Sequence, residues 1–381
     1  MNSRERVCTA LRHREPDRVP FDLGGMAQSG INRKAYANLR RYLGLPEVEI
    51  RLLNIITQVA RLDADFLERL QIDADLAYGK WASSELAAVQ EEGDYFIYVD
   101  EWGIGRRMPK DGGYYFDLYR HPLDADDVAE QLELYSWPNP ADPSRFEGLR
   151  EEARHARESG RFVTLMGLCP GIAEVYSWLR GFTNFYTDLA SEPQNVARFL
   201  SKLVELKAAY WERALSEVGE YVDAVNEADD IAGQTAMLIS PATYRQLLKP
   251  YHSELFAAIR RAAPHVRLLF HSCGAVRPII PDLIEIGVEI LNPVQITAKD
   301  MNPYELKRDF GKDLCFWGGG IDTQQVLVSG SAQQIRDDVR RNIEALAPGG
   351  GYVFAPTHII QPDVPPENIM VMWEAWEDYG G

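Results

Sequence analysis

The stretch LLFHSCGAV, residues 268–276, sets the reading of the whole chain. Three apolar residues run into His271-Ser272-Cys273-Gly274. In a strand, residues i and i+2 point to the same face, so His271 and Cys273 converge on one point. An imidazole and a thiolate together suit a zinc site or a reactive cysteine. A core cysteine beside a polar strand end is the plain alternative.

Outward from this stretch the same pattern recurs. Short apolar strands are predicted at FVTLMGL (162–168), YVDAVNEADD (221–230), RLLFHSC (267–273), VEILNPV (288–294), DLCFWGGG (313–320) and GYVFAPT (351–357). Helices are predicted between them, over 172–189, from the capping-box spacing of Ser191 and Gln194, from Ser240-Pro241, over 275–286, 301–310 and 331–346, and finally over 365–378. Strands alternating with helices mean βαβ units and a parallel sheet. Each strand is apolar until its C-terminal end and then turns polar, at Cys169, Glu227-Asp229-Asp230, His271-Cys273, Asn292, Asp322 and Thr357-His358. A closed barrel builds its site from many strand ends, whereas a doubly wound sheet uses one switch point. No G-x-G-x-x-G or Walker loop follows the first strand. A (β/α)8 TIM barrel is therefore expected, as one domain over 1–381.

The remaining segments decorate it. Residues 1–70 read as a helical extension (3–13, 32–44 and 49–70), with an extended piece at Val19-Pro20-Phe21. Residues 94–119 alternate and turn at Asp111-Gly112-Gly113, which predicts a β-hairpin insertion. Residues 121–146 read as a loop with one short helix.

Composition narrows the function classes. The chain has 46% hydrophobic and 25% charged residues and a net charge of −17. That balance argues against nucleic acid and anionic membrane surfaces as partners. No apolar run reaches membrane-helix length, and the charged N-terminus has no secretory h-region. Cys8, Cys169, Cys273 and Cys315 are scattered, which is no disulfide framework. A cytoplasmic location is expected.

Two ligands do not make a zinc site, so a third must come from another strand end: His358, or one of Glu227, Asp229 and Asp230. A mixed N/S/O set with one open position is the pattern of a catalytic zinc. The acidic cluster has a competing use, in binding substrate hydroxyls or pairing with Arg106, Arg107 or Arg180. Cys315, inside a strand, reads as packing, and Cys169 as inert lining. The glycines of GGGID (318–322) allow close backbone approach to a ligand, or simply a tight turn. Aromatic residues of the hairpin, with Tyr176 and Trp178, are candidates for a pocket wall.

Six segments carry a resemblance to the uroporphyrinogen decarboxylase superfamily over essentially the whole length. They are REPDRVPFDLGG (14–25), SWLRGFTNFYTDL (177–189), DDIAGQTAMLISPATYRQLLKPY (229–251), FHSCGAV (270–276), GGGIDTQ (318–324) and PTHIIQPDVPPEN (356–368). The chain looks closest to the corrinoid-linked methyltransferase branch. That resemblance implies a (β/α)8 barrel and a zinc held by the H-x-C, here His271 and Cys273, and by a last-strand cysteine. The last strand here ends Ala355-Pro356-Thr357-His358, so His358 is the expected replacement. Such a site is less electron-rich than one with two thiolates, which leaves room for zinc acting on an ether oxygen or a water.

The anchors of the true decarboxylases are missing. No arginine occurs between Phe21 and Arg33, and the first strand, IDADLAY (72–78), ends in Tyr78-Gly79 rather than aspartate. The resemblance thus implies a zinc-dependent methyltransferase acting on a small methylated molecule or a thiol. Its expected partners are a protein-borne corrinoid (cobalamin), a small-molecule substrate and a second copy in a homodimer. Expected roles are metal ligation by His271, Cys273 and His358, with Glu227 a displaceable fourth ligand. Asp229, Asp230 and Gln234 would orient substrate, with Asn292 and Asp322 at neighbouring strand ends and Tyr78, Trp102 and Tyr176 lining the pocket. A decarboxylase of a small carboxylic acid or tetrapyrrole, and a non-catalytic binding barrel, are the alternatives.

Overall fold

The computed structural model describes residues 1–78, 89–125 and 128–381. Two short strands, β1 (Leu52–Asn54) and β2 (Val59–Ala60), form an antiparallel ribbon. Strand β3 (Ala74–Ala77) opens the main sheet, and Gly79 beyond it lies outside the described residues. A four-stranded antiparallel meander follows: β4 (Gln90–Glu92), β5 (Tyr95–Val99), β6 (Gly105–Pro109) and β7 (Asp117–Arg120). The main sheet continues with β8 (Phe162–Met166), β9 (Ala224–Ala228), β10 (Arg267–His271), β11 (Ile290–Asn292), β12 (Cys315–Trp317) and β13 (Tyr352–Val353).

These seven strands are parallel in the order β13-β12-β11-β10-β9-β8-β3. The two edges meet through the extended Pro20-Phe21-Asp22. Asp22 N donates to Phe354 O at 2.8 Å, and Asp73 N donates to Phe21 O at 2.8 Å. One bridging residue thus fills the eighth strand position, and the expected TIM-like α/β fold is present.

One layer of the barrel interior takes a residue from every strand: Ala74, Phe162, Ala224, Leu269, Ile290, Cys315 and Val353. Val7 and Leu11 of the N-terminal helical segment pack onto this layer. Cys315 is therefore core filling. Burying Phe162, Leu269, Ile290 and Val353 stabilises the fold by about 1.5–3 kcal/mol each.

Several predicted elements change. The helix expected over 49–70 is the β1–β2 ribbon followed by a short helix, Ala64–Arg69. The β-branched run Ile55-Ile56-Thr57 disfavours helix, and Asn54 Oδ1 accepts from Thr57 N to make a turn instead. The helix expected over 172–189 breaks at Gly181, whose φ of 79° only glycine adopts without strain. It becomes Ile172–Arg180 and Phe182–Ser191. Ser191 ends that second helix and does not cap the next, Pro193–Val218. Its hydroxyl donates back to Thr187 O at 2.9 Å. The hairpin expected over 94–119 is the larger meander, because the chain also turns at Asp100–Ile104. The caps expected at Ser240 and Ser331 are present. Among the described residues no helix is long and apolar enough to cross a membrane.

Candidate metal centre

The polar strand ends converge as a parallel barrel requires. His271 ends β10 and sits directly opposite Asn292, which ends β11. Cys273 follows two residues later on a sharp turn at Gly274, with φ 87°. A Cβ there would stand 2.6 Å from Gly233 O and 2.7 Å from Ala232 O, so the turn admits only glycine. His358 arrives from the loop after β13. One donor atom each from His271, Cys273 and His358 lie within 4.8 Å of one another.

Neighbouring groups fix the orientation of these donors. Asn292 Nδ2 donates to Trp317 O at 2.8 Å, which leaves Oδ1 to accept from His271 Nδ1 at 2.5 Å. That tautomer turns the Nε2 lone pair toward Cys273 Sγ, 3.4 Å away. Asp230 Oδ1 accepts from Cys273 N at 2.7 Å and stands 3.8 Å from His271 Nε2. Gln295 Oε1 accepts from Gly274 N at 2.6 Å. Replacing Asn292 with leucine is expected to weaken metal binding about 10–100-fold, as removing such an outer partner commonly does. A chelator-competition titration reads it, and unchanged affinity would remove Asn292 from this role.

Electrostatics suit a cation. Burial, then the neighbouring His271, push the His358 pKa down to about 4, so its imidazole is neutral near pH 7. Burial, then Asp230 and Glu174, push the Cys273 thiol well up. Two nitrogens, one sulfur and an open side toward a cavity of about 470 Å3 fit a tetrahedral zinc with a vacant position. Tyr115, Gln234, Gln295, Asp322 and Gln361 line that cavity with Cys273 and His358.

Other expected site residues are placed elsewhere. Glu227 does not join the donor cluster. Its Oε2 is 3.0 Å from Lys207 Nζ, and its Oε1 accepts from Trp211 Nε1 at 2.5 Å. The pairing anticipated with an arginine is thus made with a lysine. Asp229 is fully buried and accepts from Ala173 N, Glu174 N and His252 Nε2 at 2.8–3.0 Å, capping the helix Ile172–Arg180. Asp230 alone of the acidic group reaches the donors. Asn292 is buried, with its amide between His271 Nδ1 and Trp317 O. Asp322 lines the cavity while its Oδ1 accepts from Gln324 N and Gln325 N. Tyr176 is core: its hydroxyl donates to Asp188 Oδ2 at 2.8 Å and its ring stacks on Phe199. Tyr78 and Trp102 line a separate cavity with Cys169.

Tyr115 is one of the hairpin aromatics expected at a pocket wall, whereas Lys207, Gln295 and Gln361 are site or supporting residues that sequence reasoning missed. Lys207 had a signal. It occupies the apolar stripe of the helix Pro193–Val218, with Leu203, Tyr210, Trp211 and Ala214. A lysine at such a position needs a buried partner. Tyr115 and Gln361 bond each other across the cavity wall from segments far apart in sequence, which no local pattern marks.

Known proteins are similar to this chain in both fold and sequence. A solved methyltransferase from Methanosarcina mazei matches with a TM-score of 0.68 at 19% identity, covering 100% of both chains. The methylcobamide:CoM methyltransferase MtaA of Methanosarcina barkeri is 28% identical over 237 residues. That match covers 62% of this chain and 65% of the relative's length. A uroporphyrinogen decarboxylase of Alkalilimnicola ehrlichii is 23% identical over 97% of this chain and 93% of its own. The family model for uroporphyrinogen decarboxylase (URO-D) matches residues 93–379. The protein belongs to the uroporphyrinogen decarboxylase family.

Proposed function

We propose that this chain is a zinc-dependent methyltransferase acting on a small methylated molecule or thiol, with the corrinoid carried by a partner protein. The observation that carries the reading is the convergence of His271, Cys273 and His358 donors within 4.8 Å at an open cavity. The likeness to the M. barkeri methyltransferase supports the reaction class. The make-up of the cavity at Cys273 favours it over tetrapyrrole decarboxylation. Its described lining includes Asp322 and Asp363 but no lysine or arginine, so a substrate with many carboxylates meets no counter-charge there.

His271, Cys273 and His358 would hold the ion. Bound zinc would supply Lewis acidity toward a substrate heteroatom at the open position. Asn292 holds the His271 tautomer, and Asp230 anchors the Cys273 backbone. Gln234, Gln295 and Gln361 offer neutral polar groups to orient a small substrate. The test is methyl exchange between methylcobalamin and candidate thiols or aryl methyl ethers, followed by the corrinoid absorbance. Turnover that needs zinc supports the reading. Zinc-independent release of carbon dioxide from a carboxylic acid would replace it with the carboxy-lyase reading, which the decarboxylase relative spanning 97% of the chain favours.

Proton release gives a second test. The raised Cys273 thiol is protonated at neutral pH, whereas the lowered His358 is already neutral. Zinc loading must therefore expel about one proton, and affinity must rise with pH. Calorimetry in buffers of different ionisation enthalpy is expected to count that proton. A count of zero would exclude Cys273 as a thiolate ligand.

A further inference from the structure

The meander carries buried polar groups that the metal centre does not use. Tyr98 on β5 and Arg106 on β6 are directly paired across the ladder, so their side chains share one face. Each residue is only 2% exposed. Among the described residues, Tyr98 Oη and Arg106 Nη2 are both buried without a hydrogen-bond partner. Such orphaned donors are rare because nothing replaces the water each has lost.

Neither side chain is placed to satisfy itself. Arg106 Nε donates to Asp100 Oδ2 at 3.2 Å, and its guanidinium lies 4.4 Å from the centroid of the Trp178 ring. Asp100 Oδ1 is taken by the Trp102 and Ile104 amides, each at 3.0 Å. The Tyr98 ring is packed edge-on against Phe116.

Arg106 also lines the separate cavity, about 50 Å3, together with Tyr78, Trp102, Met166, Cys169 and Trp178. A water needs about 10–15 Å3 of such space, so this one takes a few waters or one small head group. Tyr78 and Met166 of its wall pack in one cluster with Tyr115 and Ile359, which line the cavity at Cys273. The two cavities share that packed wall.

We infer that Arg106 and Tyr98 form a recognition site for the carboxylate of a small organic acid. The two groups project from paired positions on one face of the meander, and a carboxylate accepts from both a guanidinium N–H and a phenol O–H with charge-assisted bonds. Asp100 neutralises one edge of Arg106, and the Nη2 edge stays available. One arginine suits one carboxylate. Assigning that carboxylate to the methyl-transfer substrate rests on the function proposed above, but binding it does not.

The test is an acetate titration of the full-length protein by NMR, with and without zinc, and with methylammonium as the cationic control. Acetate is expected to bind both forms, and methylammonium neither. Tyr98→Phe is expected to weaken acetate about tenfold, and Arg106→Gln more, by loss of one donor in each case. Because Arg106→Gln also frees Asp100, Tyr98→Phe decides: it removes one oxygen and keeps the ring packing. Equal acetate affinity in wild type and Tyr98→Phe overturns the site. So does an absence of binding up to about 100 mM, weaker than any useful affinity, with only water at the two donors. Failure of methyl transfer leaves the acetate result standing, and failure of acetate binding leaves the metal reading standing.

Discussion

Cys273→Ala is expected to lower bound zinc from about one per chain to under a tenth, and to abolish methyl transfer. Structural zinc sites bind with about 10–16 kcal/mol spread over their ligands, so each ligand is worth roughly 3 kcal/mol or more. That is at least about two decades in affinity at 1.4 kcal/mol per decade. Cys273 is the only anionic donor of the three, so its loss removes charge as well as a bond. Its side chain lies outside the barrel core, so the fold is expected to persist, with an unchanged circular dichroism spectrum. Cys169→Ala is the control: burial pushes its thiol up to about 12 and it lines the other cavity, so metal content should not change. Metal analysis after dialysis reads both. One zinc per chain in Cys273→Ala would end the metal assignment.

The largest effect on stability is expected from Lys207→Met. Lys207 and Glu227 side chains are 1% and 2% exposed and 3.0 Å apart. The ammonium also donates to Cys169 O at 2.8 Å and Pro170 O at 2.5 Å. Removing one partner of a buried pair leaves an uncompensated charge and costs about 3–5 kcal/mol. Burial already pushes the Glu227 carboxyl up, and Lys207 pulls it down. Without Lys207 its folded pKa stands further above the unfolded one. The variant's stability is then greatest at low pH and is lost as pH rises through the folded pKa. Adding Glu227→Gln should recover much of the loss, since the amide oxygen still accepts from Trp211 Nε1. Denaturant melts of the single and double variants at two pH values test this. Equal stabilities would show that the pair contributes nothing.

The barrel was legible in the sequence alone, because short apolar runs that end in polar residues, alternating with amphipathic helices of period 3.6, are local patterns. The i and i+2 spacing also pointed to His271 and Cys273 together, but the strand ends at His271, and it is the Gly274 turn and the Asp230 bond that hold Cys273 beside it. What the sequence left open depended on distance in space. Whether Glu227 meets a metal or a lysine was decided by the packing of the helix Pro193–Val218 against β9, which brings Lys207 to it. Asp229 and Asp230 are adjacent in sequence, yet one caps a helix and the other holds Cys273. Consecutive side chains leave the backbone in different directions, so one acidic run serves two structures. His358 joins the centre only because closure through Phe21 and Phe354 brings the last strand round the ring. Local periodicity specifies which face a side chain takes, and only the closed barrel specifies which faces meet.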